Sequence, residues 1–184
     1  MDELDTMDLL SQMTGAFFGA FAAFCLVILT DKRRFQKKKN NFNNLLTASR
    51  LLAESKLIFI EKAYKNFQKT PKPSITHFLP FSPSEIKKAE SEILDDFDKE
   101  QILSIEAICF TMDTSDKILN GIVSKIENIH MLTATVGEHS PEKIELKQQV
   151  DDDYKIGIEI IKKVLDMLEK YNCKNYELLL STQY

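Results

Sequence analysis

The chain has 184 residues, a net charge of −4 at pH 7 and 43% hydrophobic residues, which is enough for one modest domain. Its three cysteines are far apart and form no CxxC pair, so the sequence argues against a disulfide framework and a zinc site. The charge is unevenly distributed, since residues 1–8 carry −4, residues 31–69 carry +8 and residues 83–184 carry −9.

Residues 9–30 form an apolar stretch with acidic residues before it and basic residues after it. A helix of this length covers about 33 Å, and the hydrocarbon core of a bilayer is about 30 Å thick. The uninterrupted apolar part begins at Gly15 and is as short as that of a secretory signal, but a signal peptide is basic where this chain is acidic. The sequence therefore predicts a single retained transmembrane helix at 9–30.

The charges on either side of this stretch predict its orientation. Residues 1–8 contain four acidic residues and no Lys or Arg, whereas six basic residues follow the stretch within eight positions. Because basic flanks stay in the cytoplasm, we expect an acidic tail outside a bacterial inner membrane and a cytoplasmic C-terminal domain. The basic flank consists of Lys32, Arg33, Arg34, Lys37, Lys38 and Lys39.

Three uses fit the basic flank. It can act as a stop-transfer signal that also contacts anionic headgroups, with each Lys or Arg contributing about 1 kcal/mol. It can bind nucleic-acid phosphates, with an affinity that falls steeply as salt rises. It can also attract the acidic residues 83–184 of the same or a neighbouring chain. We favour the first use.

Small residues recur every four positions inside the predicted span. Close backbone approach across such a face drives helix association in lipid, so the pattern predicts a homo-oligomer, although glycine is also generally frequent in transmembrane helices. Polar Gln12 and Thr14 would add hydrogen bonds between helices, or line water around a pore. The predicted association face consists of Ser11, Gly15, Gly19 and Ala23.

Residues 31–69 form a basic juxtamembrane region with helical periodicity. Four asparagines between positions 40 and 44 are poor helix formers, so the chain either bends there or continues from the span as an uninterrupted helix. Apolar residues three, four or seven apart predict one buried face. That face consists of Leu45, Ala48, Leu52, Phe59, Ala63 and Phe67.

Residues 70–82 form a Pro-rich loop whose apolar residues are predicted to pack on the helices rather than contact a partner. Residues 83–184 then form a helical hairpin or bundle. A capping box between Ser82 and Glu85, with Pro83 between them, predicts the first helix start, and Ser140 followed by Pro141 repeats the signal. A break near Asp98 or Asp113 and an end by Gly137 are also indicated.

Two apolar seams in residues 83–184 predict near-antiparallel packing of long helices. No run has the period of a strand, so the expected fold is all-α, with a single N-terminal transmembrane helix followed by a cytoplasmic antiparallel bundle. The first seam consists of Ile105, Cys109, Met112, Leu119, Ile122, Ile126 and Ile129. The second consists of Tyr154, Ile158, Ile161, Leu165 and Leu168.

Signatures of catalysis are absent from the sequence, which has no phosphate-binding loop, nucleophile elbow or HExxH motif. The acidic run 151–153 could attract a divalent cation, but successive residues on a helix point in different directions, so a solvated helix face is favoured. The sequence therefore predicts no enzyme, no metal and no cofactor.

The order of these features resembles the small membrane effectors of bacterial anti-phage systems, including retron-associated ones. The resemblance rests on an acidic tail, the sequence TGAFFGAFAAF at 14–24, the sequence KRRFQKKK at 32–39 and a compact helical domain. It implies a toxin-like protein that a cytoplasmic partner, such as a reverse transcriptase with its nucleic acid, holds inactive and then releases to damage the membrane. The alternative function is a scaffold that tethers a cytoplasmic partner to the membrane.

Overall fold

The computed structural model describes residues 3–69, 75–94, 97–135 and 140–181, with side chains described between residues 21 and 171 of those ranges. The described residues form four helices and no strand, which confirms the all-α prediction. In chain order the helices are α1 (Glu3–Lys69), α2 (Pro83–Ser91), α3 (Lys99–Thr135) and α4 (Pro141–Ser181).

The chain divides into two compact units, Met1–Asn41 and Phe42–Tyr184. Helix α1 contributes to both. Its backbone is helical through positions 40–44, where the sequence predicted either a bend or an uninterrupted helix. The asparagine side chains do not end the helix here, because propensity differences of a fraction of a kcal/mol per residue are small against the rest of a long helix.

The described helix starts use three different capping arrangements. At α4 the backbone N–H of Lys143 donates to Ser140 Oγ at 3.2 Å, so this predicted start is confirmed. At α2 the start is also correct, but the predicted capping box is wrong: Ser82 makes no side-chain capping bond, and its carbonyl oxygen accepts from the N–H of Glu85 at 3.1 Å.

The break near Asp98 is real, and Asp98 itself caps α3. Its Oδ1 accepts from the N–H of Gln101 at 2.7 Å, and its own N–H donates to Gln101 Oε1 at 3.0 Å. This reciprocal pair is a capping box in which Asp and Gln replace the usual Ser and Glu. The α3 helix then runs without interruption past Asp113 to Thr135.

The second unit is built on three long helices, the 42–69 part of α1 together with α3 and α4. Thr111 of α3 contacts Met167 of α4, and Lys125, later in α3, contacts Asp153, earlier in α4. The two helices are therefore antiparallel, as predicted. On α1, Phe42 contacts Tyr171, whereas Tyr64, further along the helix, contacts Tyr154, which is nearer the start of α4. Helix α1 is therefore also antiparallel to α4.

Each long helix buries a seam with alternating steps of three and four residues. All seven residues of the predicted α3 seam are buried, together with Ile108 and Ser115. The seam of α4 overlaps the predicted one at Tyr154, Ile161 and Leu168, but Ile158 and Leu165 are only half-buried. The remaining buried positions of the α4 seam are Val150, Gly157, Val164 and Tyr171.

Gly157 explains one of the two positions at which the α4 seam differs from the prediction. A Cβ at this position would lie 2.9 Å from Ile60 Cδ1, so the absence of a side chain lets α1 approach α4. Glycine gives no apolar signal in a sequence, so the pattern of large apolar residues indicated its neighbour Ile158 instead. Close helix contact, rather than hydrophobicity, determines this seam position.

The buried face predicted for α1 is wrong in register. Phe59 is 56% exposed, and Ala48 is exposed as well. Leu45, Leu52 and Phe67 are half-buried, so only Ala63 is buried as predicted. The physical reason is that α1 is apolar on two sides, so periodicity alone mixes them. The side that faces the core consists of Phe42, Leu46, Ser49, Ala53, Lys56, Ile60 and Ala63.

Candidate membrane-binding site

Residues 21–30 of α1 are apolar on every side of the helix. At 3.6 residues per turn, the large side chains in this segment point in all directions around the axis. Each is between 50% and 64% exposed, which is unusual for so many large apolar residues in a row. A helix that is hydrophobic all round is normally buried in a core or a bilayer. These side chains are Phe21, Phe24, Leu26, Val27, Ile28 and Leu29.

The polar group at the end of this segment is satisfied within the helix. Thr30 donates its hydroxyl to the carbonyl oxygen of Leu26 at 2.7 Å. This internal bond removes the cost of placing the hydroxyl in an apolar environment, where water would not be available to it. Threonine at this position is therefore compatible with burial in lipid.

The basic flank follows immediately after this segment. Five of its six residues are exposed and Lys39 is half-buried. The surface of α1 thus changes from apolar to strongly basic within three positions of Leu29, with Asp31 as the one acidic residue between. This change of surface is the pattern expected where a helix leaves hydrocarbon and enters the headgroup layer.

The predicted association face falls mostly outside the described side chains. Ser11, Gly15 and Gly19, with the polar residues Gln12 and Thr14, belong to α1, but the structure describes none of their side chains. Ala23 is described and is exposed. The self-associating face therefore stays a prediction.

Among the residues whose side chains the structure describes, no helix is long and apolar enough to cross a membrane. The side chains of residues 9–20, more than half of the predicted span, lie outside that description, so the span at 9–30 stays a prediction.

Sequence reasoning missed the most unusual site of the second unit, a lysine in the bundle core. The Lys56 side chain is 3% exposed, and its Nζ forms an ion pair with Asp116 Oδ1 on α3. The same ammonium lies 3.7 Å from the centroid of the Phe81 ring. Asp116 Oδ2 accepts the backbone N–H of Phe81 at 2.7 Å. One lysine, one carboxylate and one ring thus join α1, α3 and the segment before α2.

Two opposing effects act on Lys56. Burial lowers the pKa of its ammonium, because desolvation disfavours the charged form, while the hydrogen bond and the charge of Asp116 act in the other direction. The cation–π contact with Phe81 further favours the charged form. The sequence signal for this site was available, since Lys56 lies three or four positions from Ala53 and Ile60, but the incorrect α1 register hid it.

Loop packing is confirmed for one residue of the Pro-rich segment. Phe81 is buried at 5% exposure, whereas Ile75 and Leu79 are 40% and 73% exposed. The described part of this loop is therefore attached to the bundle at its C-terminal end, through the same Phe81 that contacts Lys56.

The acidic run on α4 is engaged with lysines. Asp151 pairs with Lys155 at 2.6 Å, and Asp153 pairs with Lys125 of α3 at 2.7 Å. Asp152 lies 3.5 Å from the Lys155 ammonium. Among the described residues, no group of three His, Cys, Asp or Glu side chains could hold a metal ion.

Two grooves lie between α3 and α4. One, of about 420 Å³, lies where the two helices are joined and has Met131, Glu142 and Glu145 in its lining. The other, of about 370 Å³, lies at the opposite end and is lined by Leu103, Ala107 and Met167, among other residues. Neither groove contains a cluster of catalytic groups.

Comparison of the chain with protein-family models, with curated proteins and with solved structures finds no match.

Proposed function

We propose that the chain is a single-pass inner-membrane effector. In this proposal residues 9–30 cross the bilayer, residues 1–8 lie outside and the helical bundle is cytoplasmic. A cytoplasmic partner holds the protein inactive, and its release lets the spans associate and disrupt the membrane. The observation that supports membrane insertion is the all-round exposed apolar surface of residues 21–30, directly followed by the exposed basic flank.

Burial of this apolar surface and attraction of the basic flank would act together. Full burial of a large apolar side chain is favourable by about 1.5–3 kcal/mol, and the six in this segment are at least half exposed. Each basic residue near an anionic surface adds about 1 kcal/mol, which salt screens. The apolar contribution is therefore at least as large as the electrostatic one, and binding should survive high salt in part.

Flotation with vesicles tests insertion. The full chain should float with vesicles that contain anionic lipid and should stay with them in high salt and at alkaline pH. Replacement of the six basic residues of the flank by Gln should weaken the initial binding but not remove inserted protein. A chain that dissociates completely in high salt would be a peripheral protein, and the transmembrane proposal would then be wrong.

The effector activity rests on the small-residue pattern of the span and on the resemblance to anti-phage effectors. Induced expression of the chain without its partner should collapse the membrane potential of bacterial cells. Gly15→Leu combined with Gly19→Leu should relieve this effect, because bulky side chains prevent close helix approach. Phe17→Leu with Phe21→Leu, on a largely different face, is the matched control and should keep the effect.

A tethering scaffold is the second candidate function, favoured by the groove of about 370 Å³ between α3 and α4, where Leu103 is 64% exposed. Exposed apolar grooves of this kind are typical of protein-binding surfaces. Replacing residues 9–30 by a poly-Leu span separates the two functions. A tether keeps its activity in this chimera, whereas an effector that acts through its span loses it.

The partner is proposed to be a cytoplasmic protein, with a reverse transcriptase and its nucleic acid as the class that the resemblance suggests. The net charge of −9 in residues 83–184 favours a basic docking surface on that partner. Co-expression of the chain with this partner should restore the membrane potential that expression of the chain alone collapses. Direct binding of nucleic acid by the basic flank is an alternative use of these charges, and a salt-dependent shift of labelled RNA or DNA by the full chain would reveal it.

A further inference from the structure

Helix α1 within the second unit is apolar on the side that faces away from the bundle core. Three large side chains on that side are more than half exposed: Leu51 at 61%, Ile58 at 67% and Phe59 at 56%. Ala48 and Ser55 lie on the same side and are exposed as well. These five residues are called the outward face of α1. Contiguous exposed apolar patches mark surfaces for interaction with another protein or a membrane.

The spacing of the outward face matches a second copy of the same helix. Positions 48, 51, 55 and 58 alternate steps of three and four, which is the pattern of a coiled-coil seam. Small Ala48 and Ser55 alternate with large Leu51 and Ile58. In a parallel, in-register pair, Leu51 meets Leu51 and Ile58 meets Ile58, while the small residues let the backbones approach.

The charges beside the outward face also permit this pairing. In a parallel pair the residues that flank the seam would place Glu54 opposite Phe59 of the other copy, so no like charges meet there. Glu54 is already paired with Arg50 of its own helix at 3.1 Å. The next seam position is Lys62, where two ammonium groups would face each other. The contact is therefore bounded to about two heptads.

We propose that the outward face of α1 is an interface with the same face of a second copy of this chain. The proposal rests on the proposed function, because copies inserted with one orientation keep their N-terminal segments on one side, which is compatible with parallel pairing. The interface would be isologous, since one surface contacts its own equivalent.

The size of the face indicates how it would act. A stable dimer buries about 800 Å² per partner, and two heptads with three large side chains provide much less. The face therefore requires that copies are already concentrated, as they are when one membrane holds them. We infer that it adds to association in the span and brings neighbouring bundles together.

Disulfide cross-linking of the full chain in vesicles tests the interface. In a background with Cys25→Ala and Cys173→Ser, Ser55→Cys should form a covalent dimer under a mild oxidant. Cys109 can remain, because it is buried and burial raises its thiol pKa to about 11. Ser124→Cys, an exposed serine replaced on α3, is the matched control and should stay monomeric.

A second variant tests the apolar contact itself. Leu51→Glu places two carboxylates against each other, so it should reduce the Ser55→Cys cross-link on the order of tenfold or more. Ile144→Glu is the matched control, since Ile144 on α4 is exposed to a similar extent at 59% and lines neither groove. It should leave the cross-link unchanged. Leu51 and Ile144 are both exposed, so neither change should unfold the bundle.

The outcomes separate this inference from the proposed function. A chain that floats with vesicles but gives no more dimer at Ser55→Cys than at Ser124→Cys overturns the interface and leaves membrane insertion standing. A chain that does not float overturns both. In cells, a Ser55→Cys adduct with a different protein in place of the dimer would assign the outward face to that protein and overturn the inference.

Discussion

The seams of α1 and α3 lie in the same bundle and have the same spacing, but they differ in chemistry. The α3 seam is almost entirely apolar, with isoleucine at five of its nine buried positions. The α1 seam contains two alanines, Ser49 and Lys56, and its contacts with the other helices include the Phe42–Tyr171 ring pair and the Lys56–Asp116 ion pair. Burial of large side chains therefore stabilises α3 against α4, whereas the attachment of α1 depends more on a few specific contacts. Two helix seams that are equally buried can therefore differ in how well they tolerate substitutions.

Among the changes that test this comparison, loss of Asp116 should lower the free energy of unfolding most. Asp116→Ala leaves the Lys56 ammonium buried without its carboxylate and the Phe81 N–H without its acceptor, which should cost about 3–5 kcal/mol. Urea unfolding of the chain measures the loss. Lys56→Met with Asp116→Asn should recover part of it, because no unpaired charge remains. A cost below about 1 kcal/mol for Asp116→Ala would show that α1 does not depend on the ion pair.

Alkaline pH should weaken the contact between α1 and α4. Tyr154 of α4 is buried beside Tyr64 and Phe67 of α1, and this burial raises its pKa to about 12 from an ordinary value of 10.0. The unfolded chain therefore loses the proton from about pH 10, while the folded chain keeps it until about pH 12. The free energy of unfolding should fall across this window, on the order of 2–3 kcal/mol in total.

The Tyr154→Phe variant isolates this titration. Its free energy of unfolding should depend less on pH between 10 and 12 than that of the parent chain, when both are measured by urea unfolding. Equal pH dependence of the two chains would mean that the tyrosine hydroxyl is not held in its neutral form at the interface of α1 and α4.

Gly157 on α4 and Gly121 on α3 allow a test of how closely α1 packs against α4. Gly157→Ala brings a Cβ to 2.9 Å from Ile60 Cδ1, the end of a side chain that must then shift, so the better helix propensity of alanine should be offset and the stability should change by less than about 1 kcal/mol. At Gly121 on α3, a Cβ has no neighbour among the described atoms within 4 Å. Gly121→Ala should therefore stabilise by about 1 kcal/mol. Equal stabilisation by both changes in thermal unfolding would contradict close packing at Gly157.

Replacing the serines at the two helix starts, Ser140 and Ser82, should give the smallest difference in the free energy of unfolding. Ser140→Ala removes a side-chain cap from α4, within the α3 and α4 pair, and should cost about 1 kcal/mol. Ser82→Ala, at the start of α2, removes no side-chain capping bond and should change stability by much less. Equal losses in urea unfolding would show that Ser82 caps its helix in solution.

The α3 seam could be predicted because its large apolar residues recur along one side only. The α1 seam could not, since Leu51, Ile58 and Phe59 form a second apolar side that periodicity alone cannot separate from the core. Gly157 and Lys56 were hidden for a related reason: one has no side chain and the other is charged, yet both occupy core positions. The break at Asp98 was indicated, but its capping role depends on Gln101 and appears only in the structure.

Of the candidate site, the sequence alone predicted the apolar stretch and the basic flank, because both are continuous in the chain. The described residues add that the apolar side chains of 21–30 are exposed on all sides. The ion pair could not be predicted, because its partners are 60 residues apart and only the packing of α1 on α3 brings them together.

The carboxylate of Asp116 has a consequence for the order of folding. Asp116 binds Lys56, which lies 60 residues before it in the chain, and Phe81, which lies 35 residues before it. Helices α3 and α4, by contrast, are joined by a short connection. Distant contacts require the closure of longer loops, so we expect α3 and α4 to associate before Lys56 reaches its partner. A change at Asp116 should then accelerate unfolding and leave the folding rate nearly unaltered. The bundle would thus release α1 first, as a kinetically separate step, while its hairpin is still intact.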